Sequence, residues 1–371
     1  MQQQHHPLLS SSLGTQRDII SFHFGAESDR QVYIQAALHG DELPGMAVAW
    51  YLKQQLMALE SAGKLNASIT LVPVANPLAL AQHTYGIPQG HIHTLSGQNF
   101  NRQFPLLGEI LAPALLETLT SNLAENKQLI RDAIDVHFRD RIPHTELEAK
   151  RFILMRIACQ ADLMIDLHCD PEALPYLYTT PQAWPHIEPL ARRLGSRVQL
   201  LSDKADSETF DQCCCEPWRT LKQRFGNDYP IPDGLVPVTL KLRGMRDVSP
   251  QQAKQNAEAI INALIDGGFI SGETPPLPAL AGKPIPLTGR EYLYAPHSGL
   301  ILYQRELGEW IKAGEVVAEI VDPLTDQLTP LTAENDGLFY ARHWLRFATA
   351  GMRVARLAGE NGGQKGNLLT V

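Results

Sequence analysis

Two histidines and a glutamate occupy positions where metal ligands can sit. His39 and Glu42 lie three residues apart, directly after the apolar run 32–38. His168 follows a second apolar run, 161–167. Two imidazoles and one carboxylate suit a catalytic zinc ion, which takes three protein ligands and leaves a fourth position open for water. The pattern therefore predicts one zinc ion per chain.

The apolar runs predict the sheet that must carry these ligands. Segments 32–38 and 68–74 have the character of strands, and apolar residues with helical spacing over 43–59 connect them. Further helices are predicted at 115–129, 147–160, 187–194 and 250–266, and further strands at 166–168, 176–180 and around Lys241. This alternation predicts an α/β fold with a mostly parallel central sheet, whose carboxyl edge carries the site.

A third segment, 98–105, contains the pair Asn101 and Arg102. With the histidines and Glu42 in the same chain order, the sequence resembles the succinylglutamate desuccinylase/aspartoacylase family, one of the zinc carboxypeptidase-like hydrolases. The resemblance covers most of the chain. It implies a zinc-carboxypeptidase-like domain in which His39, Glu42 and His168 bind the metal.

The resemblance also implies that Asn101 and Arg102 hold a carboxylate of the substrate. A guanidinium presents a planar pair of donors to a carboxylate and stays charged at any working pH. Arg243 and Arg246 are further candidates for binding an anionic substrate. Without the resemblance, an exposed arginine on a loop would be the simpler interpretation of Arg102.

Lys241 departs from the family pattern. In the family, a glutamate on a late strand serves as general base, but segment 238–244 here reads Val-Thr-Leu-Lys-Leu-Arg-Gly. An ammonium accepts no proton unless its pKa is depressed. Three alternatives follow: a carboxylate such as Glu216 or Asp170 acts as the base, Lys241 acts as a neutral amine or as an electrophile, or the chain has lost the activity.

Composition limits the classes of function. The chain has 371 residues, of which 44% are hydrophobic and 19% charged, enough for a large core and two domains. A net charge of -8 without a basic patch argues against nucleic acid as a partner. No apolar segment approaches the roughly 20 residues of a membrane helix, and the first residues do not resemble a signal peptide. We therefore expect no membrane partner and a cytoplasmic location.

Five cysteines do not indicate a disulfide framework, because their number is odd and three are adjacent. They are Cys159, Cys169 and the run 213–215. Neighbouring residues cannot easily direct three sulfur atoms at one ion, which argues against a soft-metal site. Reduced, packed thiols are the expectation.

A change of composition predicts the domain organisation. A hydrolase domain is expected over 1–274, a proline-rich linker over 275–287 and a β-rich module over 288–371. The module resembles the biotinyl/lipoyl-like module found in this branch of the family, but its turn region 322–335 has no lysine to modify. We expect it to cover the rim of the active site or join subunits, with a purely stabilising role as the alternative.

The resemblance implies a zinc-dependent amidohydrolase that removes an acyl group from an N-acylated amino acid or a related small amide. Such a hydrolase cleaves a linear amide C–N bond through metal-activated water. One alternative is a catalytically impaired member that binds an acidic metabolite, because of Lys241; another is a zinc exopeptidase. The resemblance also suggests a homo-oligomer.

Overall fold

The computed structural model describes residues 1–202 and 208–360, in which alternating strands and helices build one large sheet. The strands of its first part are β1 (Gln2–Pro7), β2 (Asp18–Phe24), β3 (Gln31–Ala36), β4 (Ser68–Val72), β5 (His83–Thr84), β6 (Ile87–Pro88), β7 (Leu163–Asp170), β8 (Glu172–Ala173), β9 (Tyr176–Thr179), β10 (Val198–Leu201), β11 (Val236–Gly244) and β12 (Pro284–Pro286). The helices are α1 (Pro44–Ser61), α2 (Pro77–Leu80), α3 (Gly108–Leu116), α4 (Leu123–Arg139), α5 (Glu146–Ala158), α6 (Trp184–Arg193), α7 (Phe210–Phe225) and α8 (Pro250–Asp266). None of these helices has the length and hydropathy needed to cross a membrane.

The large sheet is mixed rather than uniformly parallel. Nine strands lie in the order β1-β2-β4-β3-β7-β11-β9-β10-β12. The centre, from β4 to β11, is parallel, as the sequence predicts. Antiparallel pairs join β1 to β2, β2 to β4 and β11 to β9.

Apolar packing on both faces explains why the central strands read as continuous apolar runs. In β3, Tyr33 belongs to a core beneath helices α3, α4, α5 and α7. Its neighbours Val32 and Ile34 point to the opposite core, with residues of α1, α6 and α8. Successive side chains of a strand alternate between faces, so each face of this strand is buried against helices.

The parallel centre brings the predicted site residues to one edge of the sheet. Ala36, the last residue of β3, is opposite Leu167 in β7. His168, the next residue of β7, is opposite Lys241 in β11. Because His39 follows β3 by three residues, the carboxyl ends of β3, β7 and β11 place His39, His168 and Lys241 side by side.

Two helical predictions differ from the structure. The single helix expected over 115–129 is interrupted, because Asn122 caps a new helix with its Oδ1 accepting hydrogen bonds from the backbone N–H groups of Ala124 and Glu125. Helix α7 was not predicted at all. It contains the cysteine run and Pro217, residues that do not indicate a helix from the sequence alone.

The C-terminal region is β-rich, as expected. Its strands are β13 (Arg290–Tyr294), β14 (Gly299–Tyr303), β15 (Trp310–Ile311), β16 (Val316–Asp322), β17 (Gln327–Thr332), β18 (Gly337–Arg342), β19 (Phe347–Ala348) and β20 (Arg353–Ala358). They form two sheets, β13-β20-β18-β15 and β17-β16-β14-β19, around a core of their own.

Backbone pairing joins this C-terminal region to the large sheet and its loops. Strand β8, which follows β7 directly, pairs with β18 through Ala173 and Ala341. Strand β12 forms the edge of the large sheet, with Ile285 opposite Leu200 of β10. An apolar cluster containing Tyr176 and Tyr340 fills the junction. The C-terminal strands are therefore held next to the carboxyl edge of the large sheet.

Candidate metal centre and substrate pocket

The three predicted metal ligands come together in a buried cluster. One ligand atom from each of His39, Glu42 and His168 lies within 4.8 Å of the others. Glu42 Oε1 is 3.1 Å from His39 Nδ1, and Glu42 Oε2 is 2.7 Å from His168 Nδ1. His39 is 6% exposed, and the other two residues are 1% exposed. This group could bind a metal ion.

A tight turn after β3 positions the first two ligands. Ala37 has a left-handed backbone with φ of 57°, an unfavourable conformation for a residue with a Cβ. Gly40 is needed because a Cβ there would lie 2.4 Å from the backbone of Ala79. Its N–H donates to the carbonyl of Gly90. Close backbone packing thus fixes the turn on which His39 and Glu42 lie.

Hydrogen bonds orient both imidazoles with Nδ1 toward Glu42. His39 Nε2 is 3.2 Å from Asn99 Oδ1, an oxygen that also accepts from the backbone N–H of Asn101. His168 Nε2 is 2.9 Å from a carboxylate oxygen of Asp166. A histidine that donates one N–H to a carboxylate or carbonyl presents its other nitrogen to a metal.

The cluster fits a zinc ion. His168 Nδ1 is buried and makes no hydrogen bond, although a carboxylate oxygen lies 2.7 Å away. Two imidazole nitrogens and a carboxylate that converge in this way form the donor set of catalytic zinc sites, which accept nitrogen and oxygen ligands in tetrahedral geometry.

The pKa values of the two histidines move in opposite directions. Burial and the neighbouring His91 lower the pKa of His39 to about 4, although Glu42 acts in the opposite direction. Burial also lowers the pKa of His168, but the carboxylates of Asp166 and Glu42 outweigh it and raise the value to about 10. The surroundings of His168 therefore favour a positive charge at this position.

Lys241 lies beside the ligand cluster as an ammonium group. Its Nζ is 3.4 Å from Glu42 Oε1 and donates a hydrogen bond of 3.0 Å to the carbonyl of Cys169. Burial lowers its pKa, but the carboxylates of Glu42 and Asp170 outweigh burial, so the net shift is upward. A protonated amine donates hydrogen bonds and stabilises negative charge, but it cannot act as a base.

His91 is a neighbour of the cluster that the sequence did not single out. Its ring stacks on that of His39, with centroids 4.0 Å apart. Its Nδ1 is 2.8 Å from Asp41, and its Nε2 is 3.5 Å from Glu42. Burial lowers its pKa, but Asp41 and Glu42 raise it to about 9. His91 thus brings a second positive charge next to Glu42.

Asn101 and Arg102 line the pocket next to the cluster. Asn101 Oδ1 accepts a hydrogen bond from the backbone N–H of Phe210, at the start of α7. The Arg102 guanidinium donates to the carbonyl of Asn101. Lys150, which is fully buried, donates to the carbonyl of Phe100 and so fixes the preceding residue. Helices α5 and α7 therefore hold this loop in place.

The pocket is a cavity of about 200 Å³ with a positively charged lining. Among the lining residues that the structure describes, six are arginine or lysine and two carry a carboxylate. The cations are Arg102, Arg219, Lys241, Arg290, Arg353 and Arg356, and the acids are Asp170 and Asp211. In a chain with a net charge of -8, this local excess favours an anionic ligand.

The C-terminal strands supply one wall of the pocket. Three guanidinium groups lie near the ring of Tyr292, at 5.1 Å for Arg290, 4.1 Å for Arg353 and 5.9 Å for Arg356. Arg356 also donates a hydrogen bond of 2.8 Å to Asp170. The predicted covering of the active-site rim by this module agrees with this arrangement.

Glu216 and Arg243 are not among the pocket-lining residues. The carboxylate of Glu216 accepts hydrogen bonds from the backbone N–H groups of Leu107 and Gly108, at the start of α3. Arg243 follows Lys241 at an irregularity of β11 and has a left-handed backbone with φ of 65°. The structure does not bring either residue together with the metal ligands.

The cysteines are all reduced, as expected. Cys213 and Cys214 are buried in the core beneath α7, and burial raises the pKa of both thiols. Cys215 is partly buried and lines the pocket. They form no metal-binding group among the described residues.

Comparison with known proteins agrees with the resemblance. Residues 28–141 match the family model of the succinylglutamate desuccinylase/aspartoacylase catalytic domain. No curated protein sequence matches the chain significantly.

Solved structures show the same fold over nearly the whole chain. A succinylglutamate desuccinylase/aspartoacylase family protein from Shewanella amazonensis is 22% identical, with a TM-score of 0.83, and the match covers 96% of this chain and 98% of that one. A protein from Shewanella frigidimarina, named after the same family, is also 22% identical with a TM-score of 0.83. That match covers 96% of each chain. The ectoine utilization protein EutE (DoeB) from Ruegeria pomeroyi is 18% identical, with a TM-score of 0.68 and coverage of 96% and 94%. At these identities the likeness shows the shared fold. The resemblance to the succinylglutamate desuccinylase/aspartoacylase family, predicted from the sequence, is thus confirmed by the match of residues 28–141 to the family model.

Proposed function

We propose that this protein is a zinc-dependent amidohydrolase that removes the acyl group from a small, acidic N-acylated amino acid. The observation that carries the proposal is the convergence of His39, Glu42 and His168 beside a cationic pocket that both histidines line. The family match, to deacylating hydrolases, supports a hydrolase of this type.

His39 and His168 would hold the metal through Nδ1, and Glu42 through its carboxylate. When bound, zinc polarises a carbonyl group and lowers the pKa of a water molecule. Asp166 and the Asn99 side chain keep the two imidazoles in the required orientation. The backbone N–H of Cys169 donates a hydrogen bond of 2.9 Å to Glu42 Oε2, which fixes the carboxylate.

Cationic side chains would bind the acidic substrate. Arg102, at the Asn-Arg position of the family, is suited to the carboxylate of the amino-acid part. Arg290 and Arg353 line the wall formed by the C-terminal strands, together with Tyr292. A substrate held at both places would span the pocket, with its amide bond positioned next to the ligand cluster.

Lys241 would act as an electrophile in this scheme. Its ammonium group can donate a hydrogen bond to the oxygen of the scissile carbonyl as negative charge develops there. The proton of the attacking water then needs another acceptor. Asp170 and Asp211 are the carboxylates that line the pocket in the described part of the chain. Asp170 is the better placed, since its charge already acts on Lys241.

A second candidate function is an acid-binding protein without hydrolytic activity. The raised pKa of Lys241 favours it, because the position of the family's general base then holds a cation. Asp170 is also engaged, by the guanidinium of Arg356 and the hydroxyl of Tyr176. This protein would keep the pocket and the ligand cluster but lack the proton acceptor.

Hydrolysis assays with two proteins separate the candidates. Zinc-loaded wild type and Lys241→Glu are incubated with N-acetyl and N-succinyl derivatives of acidic and neutral amino acids, and the released amine is quantified. Turnover by the wild type supports the hydrolase, whereas turnover by Lys241→Glu alone supports the acid-binding protein. Full zinc stoichiometry in both His39→Ala and His168→Ala, measured by elemental analysis, would refute the metal site.

The domain limits, the cytoplasmic location and the homo-oligomer stay predictions from the sequence. Nothing in the proposed chemistry depends on them.

A further inference from the structure

A chain of buried polar side chains leads from the protein core to His168. The hydroxyl of Tyr33 donates a hydrogen bond of 2.8 Å to Gln35 Oε1. Gln35 Nε2 donates one of 2.9 Å to Asp166 Oδ1, and the other carboxylate oxygen of Asp166 is 2.9 Å from His168 Nε2. All four residues are at most 1% exposed.

The register of the sheet creates this chain. Gln35 in β3 is directly opposite Asp166 in β7. Tyr33 precedes Gln35 by two residues, and His168 follows Asp166 by two, so all four side chains lie on one face of the sheet. The ring of Tyr33 packs against Phe210 of α7, with centroids 6.3 Å apart. The far end of the chain is therefore anchored in the core.

The donors and acceptors fix the direction of every hydrogen bond. An ionised carboxylate only accepts, so Asp166 requires the amide nitrogen of Gln35 and an N–H of His168. The amide oxygen of Gln35 then faces Tyr33, whose hydroxyl donates to it. Each side chain can therefore take only one orientation. The orientation of the His168 ring leaves its Nδ1 directed at Glu42. Apart from this nitrogen, the four side chains are linked to one another by hydrogen bonds, and a buried network of this kind is rigid.

We propose that Gln35 and Tyr33 are positioning residues of the metal centre, which act on His168 through Asp166 and increase the affinity for zinc. This inference rests on the proposed zinc site. Gln35 fixes the rotation of the Asp166 carboxylate, and Tyr33 fixes the amide of Gln35. Without them, Asp166 can turn and His168 loses the support for its orientation.

The test measures zinc affinity in the full-length protein. Metal-free wild type and Gln35→Met compete with a chelator of known affinity, and the dissociation constant is obtained from the bound fraction. Loss of a group that supports a metal ligand typically weakens metal binding by about 10- to 100-fold, and we expect about 10-fold for Gln35→Met because Asp166 remains. Unchanged affinity in this variant would overturn the proposal.

Gln199→Met is the matched control. Gln199 is also fully buried and also donates through Nε2, but its partner is the carbonyl of Ser196, remote from His168 in the hydrogen-bond network. This variant should bind zinc as the wild type does. If Gln35→Met and Gln199→Met lost zinc affinity equally, general loosening of the core would explain the loss. That result would overturn the proposal.

Two further measurements keep the outcomes apart. If Gln35→Met does not fold, Tyr33→Phe takes its place, because it removes only the terminal hydroxyl. This variant should bind zinc a few-fold more weakly than the wild type. Wild-type zinc affinity of Tyr33→Phe would count against the proposal. Absence of zinc binding by the wild type would contradict the proposed metal site itself. Zinc binding by the wild type with no change in either variant would remove the inference alone.

Discussion

At the scale of single residues, His168 lies between two carboxylates that both favour a positive charge. Asp166 and Glu42 raise its pKa to about 10, so at neutral pH a proton occupies the imidazole in the absence of a metal. A metal ion and this proton compete for the same nitrogen, because a ligating histidine must be neutral on the side that faces the metal.

Zinc affinity should therefore increase with pH. Below the His168 pKa of about 10, zinc must displace one proton from this imidazole, so the zinc affinity gains about tenfold per pH unit. The dissociation constant for zinc should therefore fall as the pH rises from about 6 to about 8. His39 contributes little to this slope, since its pKa is lowered to about 4. Calorimetric titrations in buffers of different ionisation enthalpy count the released protons. An affinity independent of pH would contradict this assignment of charge.

Arg102 should contribute through its geometry as well as its charge. Arg102→Lys keeps the positive charge but loses the planar pair of donors. For acidic N-acyl amino acids we expect kcat/KM to fall by an amount equivalent to about 1 to 3 kcal/mol of lost transition-state stabilisation. Arg224→Lys, at an exposed ion pair with Glu109, serves as the control and should leave kinetics unchanged. Equal kinetics of Arg102→Lys and the wild type would exclude Arg102 from substrate binding.

The cluster of His39, Glu42 and His168 could be predicted from the sequence because these residues follow two apolar runs. Lys241 could likewise be identified as a departure from the family pattern. His91 could not be ranked above other loop histidines, because its role depends on stacking against His39, 52 residues earlier in the chain. Glu216, by contrast, was a candidate base that instead accepts hydrogen bonds at the start of α3. The sequence does not distinguish such a capping carboxylate from a catalytic one.

At the scale of elements, the turn between β3 and α1 determines the geometry of the cluster. Gly40 packs against the backbone of Ala79, and Ala37 is held in a left-handed conformation. A strained turn of this kind persists only where the surrounding structure fixes it. Metal binding should therefore depend on a glycine that contributes no ligand.

Gly40→Ala should destabilise the protein and weaken zinc binding together. Its Cβ would lie 2.4 Å from backbone atoms that cannot move without shifting α2, which we expect to cost about 1 to 3 kcal/mol. Gly267→Ala is the control, because the first atoms a Cβ meets there are in the movable ring of Phe269. Chemical denaturation and chelator competition measure the two effects, and wild-type stability of Gly40→Ala would show that the turn can relax.

Local patterns predicted most of the central elements but few of the edges. The parallel centre could be predicted because both faces of its strands are buried and apolar. Strand β1 could not, since Gln2–Pro7 is exposed along almost its whole length and has no apolar alternation. Helix α7 was missed because cysteines and a proline are weak helix formers, and packing against the core determines the structure there.

At the scale of the whole molecule, the substrate pocket is built from distant parts of the chain. Its candidate metal ligands come from residues 39–168, whereas the wall around Tyr292 comes from strands β13 and β20. From the sequence, the C-terminal module could cover the rim, join subunits or only stabilise the fold, and no motif marks Arg290 or Arg353. Both residues line the pocket because pairing of β8 with β18 joins segments about 170 residues apart.

Arg353→Gln should separate substrate binding from metal binding. We expect a drop of about tenfold or more in kcat/KM for acidic substrates, with full zinc stoichiometry, because a charge-assisted hydrogen bond contributes about 1.5 to 3 kcal/mol. Arg305→Gln is the control within the same region, since Arg305 forms exposed ion pairs with Glu309 and Glu315. Loss of zinc from Arg353→Gln would show instead that the C-terminal strands support the metal centre.

This division of the site along the chain gives it an order of assembly during synthesis. The ribosome releases His39, Glu42 and His168 long before the strands that carry Arg290 and Arg353. A nascent chain therefore contains the three residues of the proposed metal centre early, but it gains the wall around Tyr292 only after its last strands have been made. A chain that ended before β13 would keep the residues of the proposed metal centre and would lack the pocket wall that carries Arg290 and Arg353.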